Sequence, residues 1–161
     1  MCQLNINNLA AETVALLKKN NLIVSTAESC TGGLLASSIV DIAGASSVFK
    51  EGYITYCDEV KNRILGVTHE TLDRYKAVSA QTACEMAFGT HKLSGADICI
   101  SITGVAGPDI EDGKPVGLVY IGLYFNGKTN AFEYNFTGDR EQIRKSTVKE
   151  AFEIIKKVVQ K

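Results

Sequence analysis

Residues 43–61, AGASSVFKEGYITYCDEVK, hold two adjacent serines (Ser46, Ser47), a tyrosine (Tyr56) and a lysine (Lys61) in one short stretch. These are the parts of a hydrolase site that uses neither histidine nor metal. A serine hydroxyl is a weak nucleophile until a neighbouring base takes its proton. A lysine serves as that base only when neutral, so its ordinary pKa of about 10.4 must fall through burial or nearby positive charge. The same residues also read as a turn, a strand and a capped helix with no chemistry, and pattern alone leaves both readings open.

Two further stretches have the composition of a ligand site. In TAESCTGG, the residues Ser29, Cys30, Thr31, Gly32 and Gly33 lie where an apolar strand turns into a helix. Glycines there permit close approach of a ligand, and free N–H groups at a helix start favour an anion or developing negative charge. Tight strand–helix packing explains the same glycines equally well. In SITGVAGPD, Thr103, Gly104 and Gly107 put a second glycine-rich bend at the exit of an apolar strand, the end at which open α/β sheets bind ligands. Arg140 and Arg144 stand one helical turn apart. Like charges at that spacing repel modestly, which an anion between them or partner carboxylates would relieve. The acidic run 109–114, DIEDGK, reads as a solvated loop without chemistry.

The elements that must position these residues follow from periodicity and turn signals. Residues 8–19 place Leu9, Thr13, Val14, Leu16 and Leu17 on one helical face. A short apolar strand is expected at 22–26 and a helix at 33–42. A strand at 48–57 leads to a helix at 58–66, with Asp58 as its N-cap. A strand of that length spans about 30 Å, so Ser46 meets Tyr56 and Lys61 only if the strand starts late, bends or is partly loop. A short helix at 70–76 follows, then a longer one capped by Ser79, with Ala83, Met86, Ala87 and Phe88 as its packing face. His69 and His91 have positions that suit helix ends. A second apolar strand at 96–103 precedes a hairpin, 116–125 and 129–136, turned by Asn126-Gly127. The last helix runs from 139 to about 159, opened by a capping-box variant (Asp139, Gln142) with an apolar stripe of Ile143, Thr147, Ala151, Ile154, Ile155 and Val158. This order predicts a single α/β domain over 1–161, a three-layer α/β/α sandwich with a mixed sheet.

The bulk properties exclude more than they specify. A chain of 161 residues with 45% hydrophobic content, 22% charged content and net charge −1 is an ordinary globular domain. That charge argues against a general nucleic-acid or anionic-membrane surface. The N-terminus shows no secretion signal and no apolar run is long enough to span a bilayer. Five scattered cysteines (Cys2, Cys30, Cys57, Cys84, Cys99) lack zinc or redox spacing, so free thiols in a cytoplasmic protein are expected.

Taken in order, TAESCTGG, DIAGASS, EGYITYCDEVK, AVS, SITGVAGPD, KPVG and TGDR closely resemble the CinA C-terminal domain family over about residues 7 to 159. Stand-alone members of that family are nicotinamide-nucleotide amidohydrolases. The resemblance implies deamidation of nicotinamide mononucleotide to nicotinic acid mononucleotide and ammonia, in pyridine-nucleotide salvage, with no metal or organic cofactor. Carried over by motif, the catalytic set is Ser46, Tyr56 and Lys61, with Ser47 as a rival nucleophile because position 45 is alanine where many relatives have serine. Ser29, Thr31, Gly32, Thr103 and Gly104 are implied to line the nucleotide pocket and Arg140 or Arg144 to meet the phosphate. The implied assembly is a homodimer or higher oligomer whose partner is its small-molecule substrate.

Two rivals accompany this reading. One is a non-catalytic pyridine-nucleotide-binding module, since many family members are the tail of a longer protein linked by name to competence and DNA damage. With that domain not seen in this sequence and the trio of Ser46, Tyr56 and Lys61 intact, the stand-alone enzyme is the expectation. The other rival keeps amidase chemistry but makes Cys30 the nucleophile, with Glu28 nearby, because a helix start can lower a thiol pKa.

Overall fold

Three parallel strands carry the architecture, and their apolar runs explain why they lie inside. The computed structural model describes residues 5–160; Cys2 and the outermost ends of the expected domain lie outside them. In chain order the elements are α1 (Ile6–Lys19), β1 (Val24–Glu28), α2 (Leu34–Val40), one 3-10 turn (Ala45–Ser47), β2 (Phe49–Ile54), α3 (Asp58–Leu65), α4 (His69–Tyr75), α5 (Ala80–Ser94), β3 (Ile98–Gly104), β4 (Leu118–Phe125), β5 (Lys128–Asn135) and α6 (Arg140–Val159). The sheet order is β2-β1-β3-β4-β5. Strands β2, β1 and β3 are parallel, whereas β4 and β5 are antiparallel to their neighbours. The mixed α/β sandwich expected from the element order is the one observed.

Side-chain alternation along the strands separates two cores. One face of β3 sends Ile98, Ile100 and Ile102 into a cluster with Leu9, Leu17, Leu35, Ile39, Ile143 and Phe152 of α1, α2 and α6. Each such side chain stabilises the fold by about 1.5–3 kcal/mol through burial. The opposite face packs a smaller cluster of Ala27, Leu65, Val67, Leu72 and Met86 against α3, α4 and α5. On that side β3 presents hydroxyls: Ser101 Oγ donates to Ala83 O at 2.6 Å and Thr103 Oγ1 donates to Ala77 O at 2.7 Å. Both buried hydroxyls tie α5 and its approach to the sheet. Helix α5 rests so close to β4 that a Cβ at Gly122 would stand 2.3 Å from Ala83 O.

Several boundaries differ from expectation for identifiable reasons. Strand β1 starts at Val24 rather than 22 and extends through Glu28, whose carboxylate finds buried partners. Cys57, not Asp58, occupies the N-cap position of α3. Phe88, expected in the core, is 46% exposed. It turns outward beside Tyr124, ring centroids 6.1 Å apart, under the Lys92 ammonium. The capping box of α6 forms as expected, with Asp139 and Gln142 satisfying each other's backbone N–H. The four described cysteines are free thiols. No helix among the described residues is long and apolar enough to cross a membrane.

Candidate active site

Parallel pairing decides which loops meet. Val24 pairs with Phe49 and Ile98 at one edge of the sheet, and Glu28 pairs with Ile54 and Ile102 at the other. The segments leaving the ends of β1, β2 and β3 therefore share one edge, the ligand-binding edge of open α/β sheets. Antiparallel β4 returns the chain so that β5 also ends there, which delivers the start of α6. Residues from all four exits line one pocket: Ser29 and Cys30, Tyr56 and Lys61, Thr103 to Gly107, and Arg140.

Lys61 is the centre of that pocket. It is 1% exposed, on the second turn of α3. Its Nζ donates to Ser29 Oγ at 3.2 Å and to Thr55 O at 3.0 Å. Burial lowers its pKa from the ordinary lysine value, opposed by the negative groups of Asp58 and Glu111. Desolvation favours the neutral amine, the form that accepts a proton.

Ser29, 8% exposed, is held by the turn that follows β1. Its N–H donates to Ile102 O at 3.0 Å, and its carbonyl accepts from Gly32 N–H at 3.0 Å. Gly32 and Gly33 take φ of 58° and 95°, values a β-carbon would strain. The expected free helix start is not free. Glu28, 1% exposed, accepts from Leu35 N at 3.0 Å, Ala36 N at 2.9 Å and Thr31 Oγ1 at 2.7 Å. The anion at the N-terminus of α2 is thus the protein's own carboxylate, and it braces the turn that carries Ser29.

Ser46 and Ser47 lie elsewhere. They precede β2, at the opposite edge of the sheet from the segment 55–61 that follows it. Six strand residues span about 20 Å. Ser46 lines a separate, largely apolar hollow with Val40, Ile42 and Phe49, and Ser47 Oγ donates to Gly44 O at 2.9 Å. The structure thus does not bring Ser46, expected as the partner of Lys61, to that lysine; the serine in contact with it is Ser29. Strand β2 runs from Phe49 to Ile54, with an irregular register against β1 near its start and residues 55–57 outside it, and it still holds Ser46 and Lys61 at opposite ends.

The remaining candidates divide between wall and support. Tyr56, 61% exposed, lines the pocket and its hydroxyl accepts from Arg140 Nη2 at 3.0 Å. Arg140 Nη1 donates to Gly107 O at 2.5 Å, leaving the guanidinium against the pocket. Arg144 lies outside the wall and donates to Thr31 O at 2.7 Å, a second brace on the Ser29 turn. Thr31 and Gly32 likewise support rather than line the site, while Thr103 and Gly104 line it. The N–H groups of Ala106 and Gly107, also in the wall, donate to no backbone carbonyl among the described residues. Cys30 shares the pocket, but burial pushes its thiol up to about 12, and Glu28 faces the helix start instead. That geometry removes the features that made the cysteine attractive.

Comparisons with known proteins agree on one family. The sequence model of the CinA C-terminal domain matches residues 6–159. A CinA-like protein of Kosmotoga olearia is 52% identical over 147 residues, 91% of this chain and 36% of that protein. A protein of Clostridium botulinum named as a putative competence-damage inducible protein is 53% identical over 148 residues, again 91% of this chain and 36% of the relative. The chain thus spans about a third of the length of these curated relatives. Among solved structures, a CinA superfamily protein from Klebsiella pneumoniae superposes with a TM-score of 0.94 at 36% identity, covering 97% of this chain and 98% of the other. A competence/damage-inducible protein from Agrobacterium tumefaciens gives 0.92 at 40% identity, covering 97% and 96%.

Proposed function

The chain belongs to the CinA C-terminal domain family, and from that premise we propose that it is a nicotinamide-nucleotide amidase with Ser29 as nucleophile and Lys61 as base. One observation carries the reading: a buried lysine amine 3.2 Å from a buried serine hydroxyl inside a pocket at the parallel-strand edge.

The first proton transfer uses two groups already in contact. Neutral Lys61, kept in place by Thr55 O, takes the Ser29 proton as Oγ bonds to the carboxamide carbon. The pyridinium ring of nicotinamide mononucleotide draws electrons from that carbon and eases attack. The oxygen that gains negative charge is met by the N–H groups of Ala106 and Gly107, a type of contact worth about 3–4 kcal/mol per donor in other hydrolases. Lys61 returns the proton to the departing nitrogen, the C–N bond breaks, and ammonia leaves an ester on Ser29. Water then attacks that ester, gives one proton through Lys61 to Ser29 Oγ, and releases the acid. Arg140, fixed by Gly107 O and Tyr56, offers its guanidinium to the phosphate. Tyr56 orients that arginine.

The test is ammonia release from nicotinamide mononucleotide by wild type, Ser29→Ala, Lys61→Ala and Ser46→Ala. Turnover by wild type and Ser46→Ala alone is the expected result. An active Ser29→Ala variant would remove the assignment. Binding of the nucleotide by wild type without turnover would favour a pyridine-nucleotide-binding module, the role that fits a domain spanning about a third of longer relatives.

A further inference from the structure

The acidic segment 109–114 has the composition of a plain solvated loop, yet Asp109 and Glu111 stand on the wall of the pocket that holds Ser29, Lys61 and Arg140. Several contacts keep them there. Lys114 N–H donates to Glu111 O at 2.8 Å and Glu111 N–H to Lys114 O at 3.3 Å, closing the turn. The Lys114 side chain donates to Tyr75 O at 3.1 Å and to Val78 O, tying the loop to the segment that leads into α5. The loop's lysine is thereby engaged by backbone oxygens, and neither Asp109 nor Glu111 forms an ion pair among the described residues. Ser29, nine-tenths buried, points its hydroxyl into the same space and has Lys61 as its only side-chain partner among them.

We propose that Glu111, with Asp109, forms a cation-selecting rim that favours a carboxamide carried on a positively charged, N-substituted pyridinium ring over an uncharged ring of the same shape. The inference rests on the amidase reading of this pocket and names what its substrate must carry. Arg140 brings positive charge to the pocket wall and the two carboxylates bring negative charge, so the site is complementary to a ligand with separated charges of both signs. The field of Glu111 also reaches Lys61, where it raises the amine's pKa against the effect of burial. By itself that opposes catalysis. A cationic ring seated between them cancels the carboxylate's field and, as a like charge, pushes Lys61 toward its neutral form. A substrate with an uncharged ring leaves the base protonated more of the time.

Binding in the Ser29→Ala background separates ring charge from turnover. The probes are nicotinamide mononucleotide and its reduced form, which keeps the ribose, phosphate and carboxamide but has an uncharged dihydropyridine ring. At low ionic strength Glu111→Gln is expected to weaken the oxidised nucleotide about three- to tenfold, as for a partly screened charge pair, and to leave the reduced one within about twofold. Lys114→Met, which unties the loop without touching a carboxylate, is expected to reproduce part of that selective loss. Equal weakening of both ligands, no change in either, or no binding of either by the Ser29→Ala parent would overturn the proposal. The two readings fail separately: a wild type that releases no ammonia yet discriminates ring charge loses only the amidase, and one that turns over without discrimination loses only the rim.

Discussion

The turns at 29–33 and 44–47 have nearly the same ingredients: serine, small neighbours and glycine at positive φ, 58° and 95° for Gly32 and Gly33 against 81° for Gly44. They sit at opposite edges of the same parallel strand pair. The first follows β1, is covered by the exits of β2 and β3, and places its serine against a buried lysine. The second precedes β2, and Ser47 turns its hydroxyl back on Gly44 O. The difference teaches that the surroundings of a serine here are set by what the sheet edge assembles around its turn, not by the turn.

The largest expected effect breaks that comparison directly. Ser29→Ala and Lys61→Met should each lower kcat for nicotinamide mononucleotide by about a thousandfold or more, as when a nucleophile or its base is removed, while Ser46→Ala should stay within about twofold. Equal losses at Ser29 and Ser46, measured as ammonia release, would erase the distinction.

Next comes the brace that only the first turn has. Glu28→Ala leaves the N–H groups of Leu35 and Ala36 and the Thr31 hydroxyl without their buried acceptor. It should cost about 2–3 kcal/mol of stability, read from denaturant midpoints, whereas Ser47→Ala should cost well under 1 kcal/mol.

The pH dependence sharpens the role of burial. Because burial lowers the Lys61 pKa, the folded protein sheds this proton at lower pH than the unfolded chain does. The unfolded state then binds more protons between the folded value and about 10.4, so stability rises with pH across that window. Lys61→Met should flatten that slope. Activity should rise with pH through the same folded value as the base becomes neutral, and an acidic limb unchanged by substitution of Glu111 would separate Lys61 from it. The smallest effect is expected at Cys30. With its thiol pushed up to about 12, Cys30→Ser should retain kcat within about threefold, although the cysteine shares the pocket.

Much of the fold was legible because it rests on local signals. Apolar runs marked β1 and β3, Asn126-Gly127 marked the hairpin, and Asp139 with Gln142 marked the start of α6. Lys61 and Tyr56 were legible as candidates from residue type and from their place at a strand exit. Phe88 departs from expectation because helical periodicity does not say how wide the covered face is, and its ring lies at the rim of that face beside Tyr124.

The sequence by itself determined the elements, the family and the set of residues from which a site could be made. Only the tertiary structure decided membership. Parallel pairing of β1 with β2 carries Ser46 to the far edge and brings Ser29, distant in sequence from Lys61, to 3.2 Å. The same assembly gave Glu28 a helix start to cap, turned Arg144 into a brace and put the carboxylates of a loop on the pocket wall. Spacing along a chain constrains only near neighbours, whereas a catalytic contact between different strand exits depends on strand order and direction, which non-local packing sets.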